Sequence, residues 1–191
     1  MSTAALRLNL GSGQRPLEGY LNVDKYGEPD LRWDLETCPW PWDDNSVSEI
    51  KLIHVLEHLG QQTETYLNII QEMYRVCAPD ATIHIIVPHH RHDNFVHDPT
   101  HVRAITPSGL QMFSRQLNQE WQAKGCANTP LGLYLGVDFE LMQTNLVASS
   151  LWFNRYRDRA QDVQLLLQES ALYNNLIEEV EMRLRVVKPL V

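Results

Sequence analysis

Two glycines, Gly11 and Gly13, follow the first apolar run of the chain in LNLGSG, and an acid, Asp24, closes the second run in GYLNVD. Glycine opens backbone conformations closed to other residues and lets a ligand approach the main chain, so this pair offers N–H groups to a bound carboxylate or phosphate. Asp24 has the two oxygens needed to accept from vicinal ribose hydroxyls. Asp34, in DLRWDL, can accept from an exocyclic amine. A nucleoside-bearing ligand fits this set. Pro16 breaks a G-x-G-x-x-G pattern and no G-K-[ST] follows a glycine loop, so neither dinucleotide nor ATP phosphate binding is supported.

Histidine marks a second region. Five of the eight histidines fall between His89 and His101, in HHRHDNFVHDPTH. Three readings are open for this loop. One of His92, Asp93 and His97 serves as a general base, a role suited to imidazole at neutral pH. Alternatively, His90, His92, Asp93, His97 and His101 supply some ligands of a divalent metal that orients a second reactant. The spacing lacks H-E-x-x-H, and no residue is assigned as a metal ligand. In the third reading the histidines are solvated and HDPT makes a turn. Glu57 and His58 are expected to start the next helix. Trp33, Trp40 and Trp42 either wall a base pocket or pack in the core or a lid.

These residues need a frame to bring them together. LRLNL, YLNVD, PDLRWDL, SEIKLIH and ATIHIIVP read as strands, and the alternation with helical runs points to a parallel sheet built from βαβ crossovers. Between the fourth and fifth, Tyr66, Ile69, Ile70, Met73, Tyr74 and Cys77 recur at three- and four-residue spacing, the apolar face of a helix stopped by Pro79. TPSGLQMFSRQL reads as one helix capped by Thr106 or Ser108. GVDFELMQTNLVAS and EVEMRLRVV alternate with period two and are expected to pair antiparallel, with a helix in residues 157–176 between them. In an open parallel sheet, ligands bind outside the carboxyl ends of the strands. The glycines, Asp24, Asp34 and His54 all fall at such ends.

The bulk properties narrow the field. The chain has 191 residues, 43% hydrophobic and 21% charged, as expected for one globular domain. A net charge of -8 without a long basic cluster argues against nucleic acid as a partner. Cys38, Cys77 and Cys126 are odd in number and widely spaced, which fits reduced, buried thiols in the cytoplasm. The start carries no basic segment followed by an apolar one, and no run reaches the ~18 apolar residues of a membrane span. A soluble, cytoplasmic protein without membrane association is expected.

The ordered series LNLGSG, GYLNVD, DLRWDLETCPWPWDDNSVSEIKLIHVLEHL and YRVCAPDATIHIIVPH resembles the class I S-adenosylmethionine-dependent methyltransferases, in the branch called methyltransferase type 11. The resemblance implies a Rossmann-like, doubly wound α/β fold with a mostly parallel seven-stranded sheet and an antiparallel C-terminal strand. It implies one domain over 1–191, with cofactor binding in about 1–88 and acceptor binding in about 89–191. Gly11 and Gly13 would bound the loop at the methionine part of S-adenosylmethionine, Asp24 would bind the ribose, Asp34 and Leu35 would sit at the adenine, and His54 beside the cofactor. Asn9 stands where the family's first motif opens with an acid, and is counted with the cofactor residues. Arg15 replaces a third glycine, and APDA replaces a glycine-rich turn before the fifth strand. The activity implied is methyl transfer; because a base-rich loop suits a hydroxyl and the chain has no amine-specific motif, the expected acceptor is a small molecule or saccharide methylated at oxygen. A metal-dependent hydrolase and an inactive cofactor-binding partner protein are the rival readings.

Overall fold

Leu8 and Leu10 on β1 (Leu6–Leu10) are fully buried, and β2 (Leu21–Asp24) and β3 (Leu31–Arg32) follow it. Ile50 and Leu52 on β4 (Val47–Ile53), and Ile83, Ile85 and Val87 on β5 (Cys77–Pro88), are buried at every second position. Period-two burial of branched apolar residues drives these segments into one sheet. With β6 (Phe139–Ala148) and β7 (Ile177–Val186) the seven-stranded order is β3-β2-β1-β4-β5-β7-β6. Strands β1 to β5 pair in parallel, and β7 runs antiparallel to both β5 and β6. The mostly parallel α/β sheet and its antiparallel C-terminal strand are as expected.

The computed structural model describes residues 5–189, so the first four residues of the start read above lie outside the described residues. Strand β1 sits between β2 and β4, which opens a crevice at the carboxyl ends of these strands where the order reverses.

Local details differ from the pattern reading. Helical crossover is found at α1 (Thr63–Val76), whereas the connections β1–β2, β2–β3 and β3–β4 contain no helix. The face of α1 formed by Tyr66, Ile69, Ile70 and Met73 is buried as expected. Cys77 and Pro79, however, belong to β5. Cys77 is already extended, at φ -69° and ψ 135°, and the residue before Pro79, Ala78, is held extended in turn, so the chain leaves the helix two residues ahead of the proline. The APDA segment, read as a turn before the fifth strand, lies inside β5, and Asp80 there adopts φ +62°.

A short α2 (Asp93–Val96) lies in the histidine-rich loop. The single helix expected after Thr106 is two, α3 (Pro107–Gln111) and α4 (Arg115–Ala123). Thr106 Oγ1 caps the first by accepting from Gly109 N, and Ser114 Oγ caps the second by accepting from Leu117 N, which restarts the helix. Two further helices, α5 (Leu131–Leu135) and α6 (Ser150–Arg155), were not expected. The last, α7 (Val163–Leu172), occupies the middle of the expected segment and is capped by Asp162. Of the three free cysteines only Cys77 is buried; Cys38 and Cys126 lie on exposed loops, against expectation. No helix among the described residues is long and apolar enough to cross a membrane.

Candidate functional site

At the carboxyl ends of β1, β2 and β4 lies a cavity of about 580 Å³, its open mouth included, lined by Gly11, Asp24, Trp33, Asp34, Leu35, His54, Val55 and His58 among others. Ligand pockets span roughly 300–1,000 Å³. The loop after β1 is held by its backbone: Gly11 N and Ser12 N both donate to Val23 O, at 2.8 and 3.0 Å. Gly11 has φ +67°, and a Cβ there would lie 2.4 Å from Val55 Cγ2. Both conformation and space therefore demand glycine at this position.

Asp24 joins this loop to the next strand. Its Oδ2 accepts from Gly13 N and its Oδ1 from Tyr26 N, each at 2.8 Å. Each oxygen keeps a lone pair for a further donor in the cavity. Asp34 Oδ1 accepts from Glu36 N at 3.1 Å, and its Oδ2 is 3.8 Å from Lys25 Nζ. Leu35 is buried, and its carbonyl accepts from Trp40 Nε1. Trp33 walls the cavity, whereas Trp40 lies in the core with Trp42 packed edge-on at 5.7 Å. Asn9 does not line the cavity: it is buried, and its amide donates to Asn22 Oδ1 and to Arg15 O. It braces the loop from beneath.

His54 follows β4 in the left-handed region, at φ +55°, and its N–H donates to Ile86 O. Such a conformation is uncommon outside glycine and clusters at functional sites. Its Nδ1 is 3.6 Å from Glu57 Oε1 and its Nε2 is 3.1 Å from Glu179 Oε1. Glu57, then Glu179, holds the imidazole pKa above its ordinary value against the opposing effect of burial. Glu57 and His58 do not start α1. They form a separate 3₁₀ turn, Leu56–His58, ahead of it. The Glu57 side chain is 1% exposed, and among the described residues neither carboxylate oxygen has a hydrogen-bond partner.

The histidine-rich loop folds back on this turn, because Val102 N and Arg103 N both donate to Glu57 O. That brings His101 against His58, with ring centroids 4.5 Å apart. His92, Asp93 and His97 are placed otherwise, and none lines the cavity. His92 Nδ1 caps α2 by accepting from Asn94 N, Asp93 N donates to Asn175 Oδ1, and His97 is the C-cap of the same helix. Burial pushes His89 down to about 4 and lowers His90 as well. Sequence reasoning thus gave Glu57 and His58 only a structural role. The overlooked signal is HVLEH, since H-x-x-E-H is a spacing that binds zinc when carried on a helix.

No protein-family model matches the chain, and no curated protein matches it in sequence. Solved structures do match its fold. A SAM-dependent methyltransferase from Archaeoglobus fulgidus superposes with a TM-score of 0.61 at 14% identity, covering 94% of this chain and 86% of that one. The 1,6-didemethyltoxoflavin-N1-methyltransferase of Burkholderia thailandensis, solved with 1,6-didemethyltoxoflavin and S-adenosylhomocysteine bound, gives 0.51 at 12% identity over 96% and 72%. A SAM-dependent methyltransferase from Methanosarcina mazei gives 0.51 at 11% over 94% and 91%. The chain has the Rossmann-like fold of the class I S-adenosylmethionine-dependent methyltransferases, the fold that its ordered motifs led one to expect.

Proposed function

We propose that the chain is an S-adenosylmethionine-dependent methyltransferase acting at oxygen on a small-molecule or saccharide acceptor. The observation that carries the reading is the convergence of Gly11, Asp24, Asp34 and His54 on one cavity at the strand ends. The donor set fits an adenosine-bearing group: a carboxylate with lone pairs left over, a second carboxylate lining the same cavity, and a backbone turn in which a Cβ has no room. When bound, the cofactor supplies a methyl already activated on a sulfonium, so the protein has only to align an acceptor and manage one proton.

In this reading Asp24 holds the ribose hydroxyls, Asp34 and Leu35 flank the adenine beside Trp33, and the loop from Gly11 to Gly13 takes the methionine end. Asn9 keeps that loop in shape through Arg15 O and Asn22 rather than touching the ligand. Residues 1–88 form the cofactor half and 89–191 the acceptor half of one domain. His92, Asp93 and His97 lie outside the cofactor cavity, in the acceptor half, and there they are the groups we assign to take the acceptor's proton, His92 through Nε2 because Nδ1 caps α2; the acidic net charge favours an acceptor other than nucleic acid. Work in the cytoplasm accords with three free thiols. Nothing in the fold comparisons favours the hydrolase or inactive-partner readings. The test is calorimetric titration of the untagged protein with S-adenosylmethionine and S-adenosylhomocysteine. Micromolar binding is expected, and absence of binding to both overturns the proposal.

A further inference from the structure

We infer that Glu57, His58 and His101 form a site for a divalent transition-type cation such as Zn²⁺, at the edge of the cavity that faces the histidine-rich loop. One ligand atom from each of the three lies within 4.8 Å of the other two. A contraction of about 1.5 Å brings such atoms to the roughly 3.3 Å edge of a tetrahedral zinc site with Zn–N near 2.0–2.1 Å.

Two further observations point to a cation. The Glu57 carboxylate is buried without a hydrogen bond to either oxygen among the described residues; His54 Nδ1 stands 3.6 Å from Oε1, which leaves Oε2 facing no close donor, a state costly for an ionised group unless a further positive charge meets it. The imidazoles are also set as ligands. His101 Nδ1 lies 2.9 Å from Phe95 O, a pure acceptor, so Nδ1 carries the proton, and in the neutral ring Nε2, which stands 3.8 Å from Asp98 Oδ2, keeps its lone pair. Thr100 Oγ1 donates to Asp98 Oδ1 at 2.6 Å, so it accepts from His58 Nδ1 at 2.9 Å, which frees His58 Nε2 in the same way. Outer partners that protonate the distal nitrogen are the usual support of metal-bound histidine. His101 is further packed on Phe95, and its side chain is only 8% exposed.

Two imidazoles and one carboxylate suit zinc and its neighbours rather than magnesium or calcium, which prefer oxygen. In HVLEH the first histidine does not join the set. His54 turns to Glu179, and His101 from the distant loop supplies the second imidazole. Three protein ligands leave a tetrahedral cation one open position. His58 also lines the cavity, so the cation stands between cofactor half and acceptor half. Resting on the methyltransferase reading, its open position is the place for an acceptor oxygen.

The experiment uses the untagged full chain, stripped with a chelator and titrated with ZnCl₂ alone, without S-adenosylmethionine. One equivalent is expected to bind, and Co²⁺ to give the visible absorption of a tetrahedral site. Glu57→Gln and His101→Ala should each weaken Zn²⁺ by more than ~100-fold, and Thr100→Val, which removes an outer partner, by roughly 10-fold. His90→Ala should bind as the parent does. Should His101→Ala fail to fold, His58→Gln takes its place, and circular dichroism verifies each variant. Absence of Zn²⁺ binding by the parent, as a plain His54–Glu57 ion pair would give, overturns the inference. So does binding undiminished in Glu57→Gln. Because the titration omits the methyl donor, failure of donor binding leaves its outcome untouched.

Discussion

Replacing Gly11 by alanine probes the point where the loop after β1 meets the end of β4. The new Cβ would meet Val55 Cγ2 at 2.4 Å and Cγ1 at 2.7 Å, and the residue would have to keep φ +67°. Left-handed backbone costs a non-glycine residue about 1–2 kcal/mol. Forcing a methyl into a packed site adds about 1–3 kcal/mol. Gly11→Ala should therefore destabilise by roughly 2–5 kcal/mol, read by urea unfolding, or by about 2–4 °C of melting temperature per kcal/mol. Val55→Ala alone removes two methyl groups, for about 1.5–3 kcal/mol. In the double variant the added Cβ enters the space that valine vacated, so only the backbone term survives intact. Its destabilisation should fall short of the sum of the singles by about 1–3 kcal/mol. If the two effects instead add to within ~0.5 kcal/mol, the usual outcome for independent sites, the contact between Gly11 and Val55 does not shape this loop.

Asp24→Ala should weaken S-adenosylmethionine by roughly 1–3 kcal/mol, about 5- to 150-fold, by leaving the ribose hydroxyls unpaired; equal affinity by calorimetry would remove Asp24 from the ribose. His89 is expected to govern part of the acid limb of stability. Burial first, then His90 and Arg91, pushes its imidazole down to about 4, while the unfolded chain protonates near pH 6.5. Between those values the unfolded state binds the extra proton, so stability falls as pH is lowered through this window. His89→Gln should flatten that slope, and parallel pH–stability curves would refute it. At Asp80, φ +62° makes glycine the easier residue, so Asp80→Gly should exceed Asp80→Ala in stability by about 1 kcal/mol in urea unfolding. Both variants lose the same exposed ion pair to Arg185, which cancels in the comparison.

What was legible in the sequence was local. The period-two runs of β1, β4 and β5 and the glycines after β1 announce a sheet with a ligand loop at its end, because each signal lies within a few residues. Asp24 is likewise readable, since it closes a strand. Boundaries fared worse where two short-range preferences competed. Pro79 was read as the end of a helix, but extended geometry had set in at Cys77, and Ser114 caps a new helix inside what looked like one. At Asp80, inside the first residues of β5, aspartate takes the left-handed position that a glycine was expected to fill, since it tolerates the same φ.

The histidine-rich loop shows why abundance is a poor guide to a site. Five imidazoles stand there, yet His92 spends Nδ1 on a helix cap and His97 ends that helix. Density in sequence says nothing about which rings keep a free nitrogen aimed at a common point. His101 does, because Phe95 O fixes its tautomer and the bonds from Val102 and Arg103 to Glu57 O bring it to the end of β4. Its partners, Glu57 and His58, come from an unremarkable turn far away in the chain. The distinction between a histidine-rich loop and a histidine site therefore rests on second partners and strand ends, which only the fold assembles.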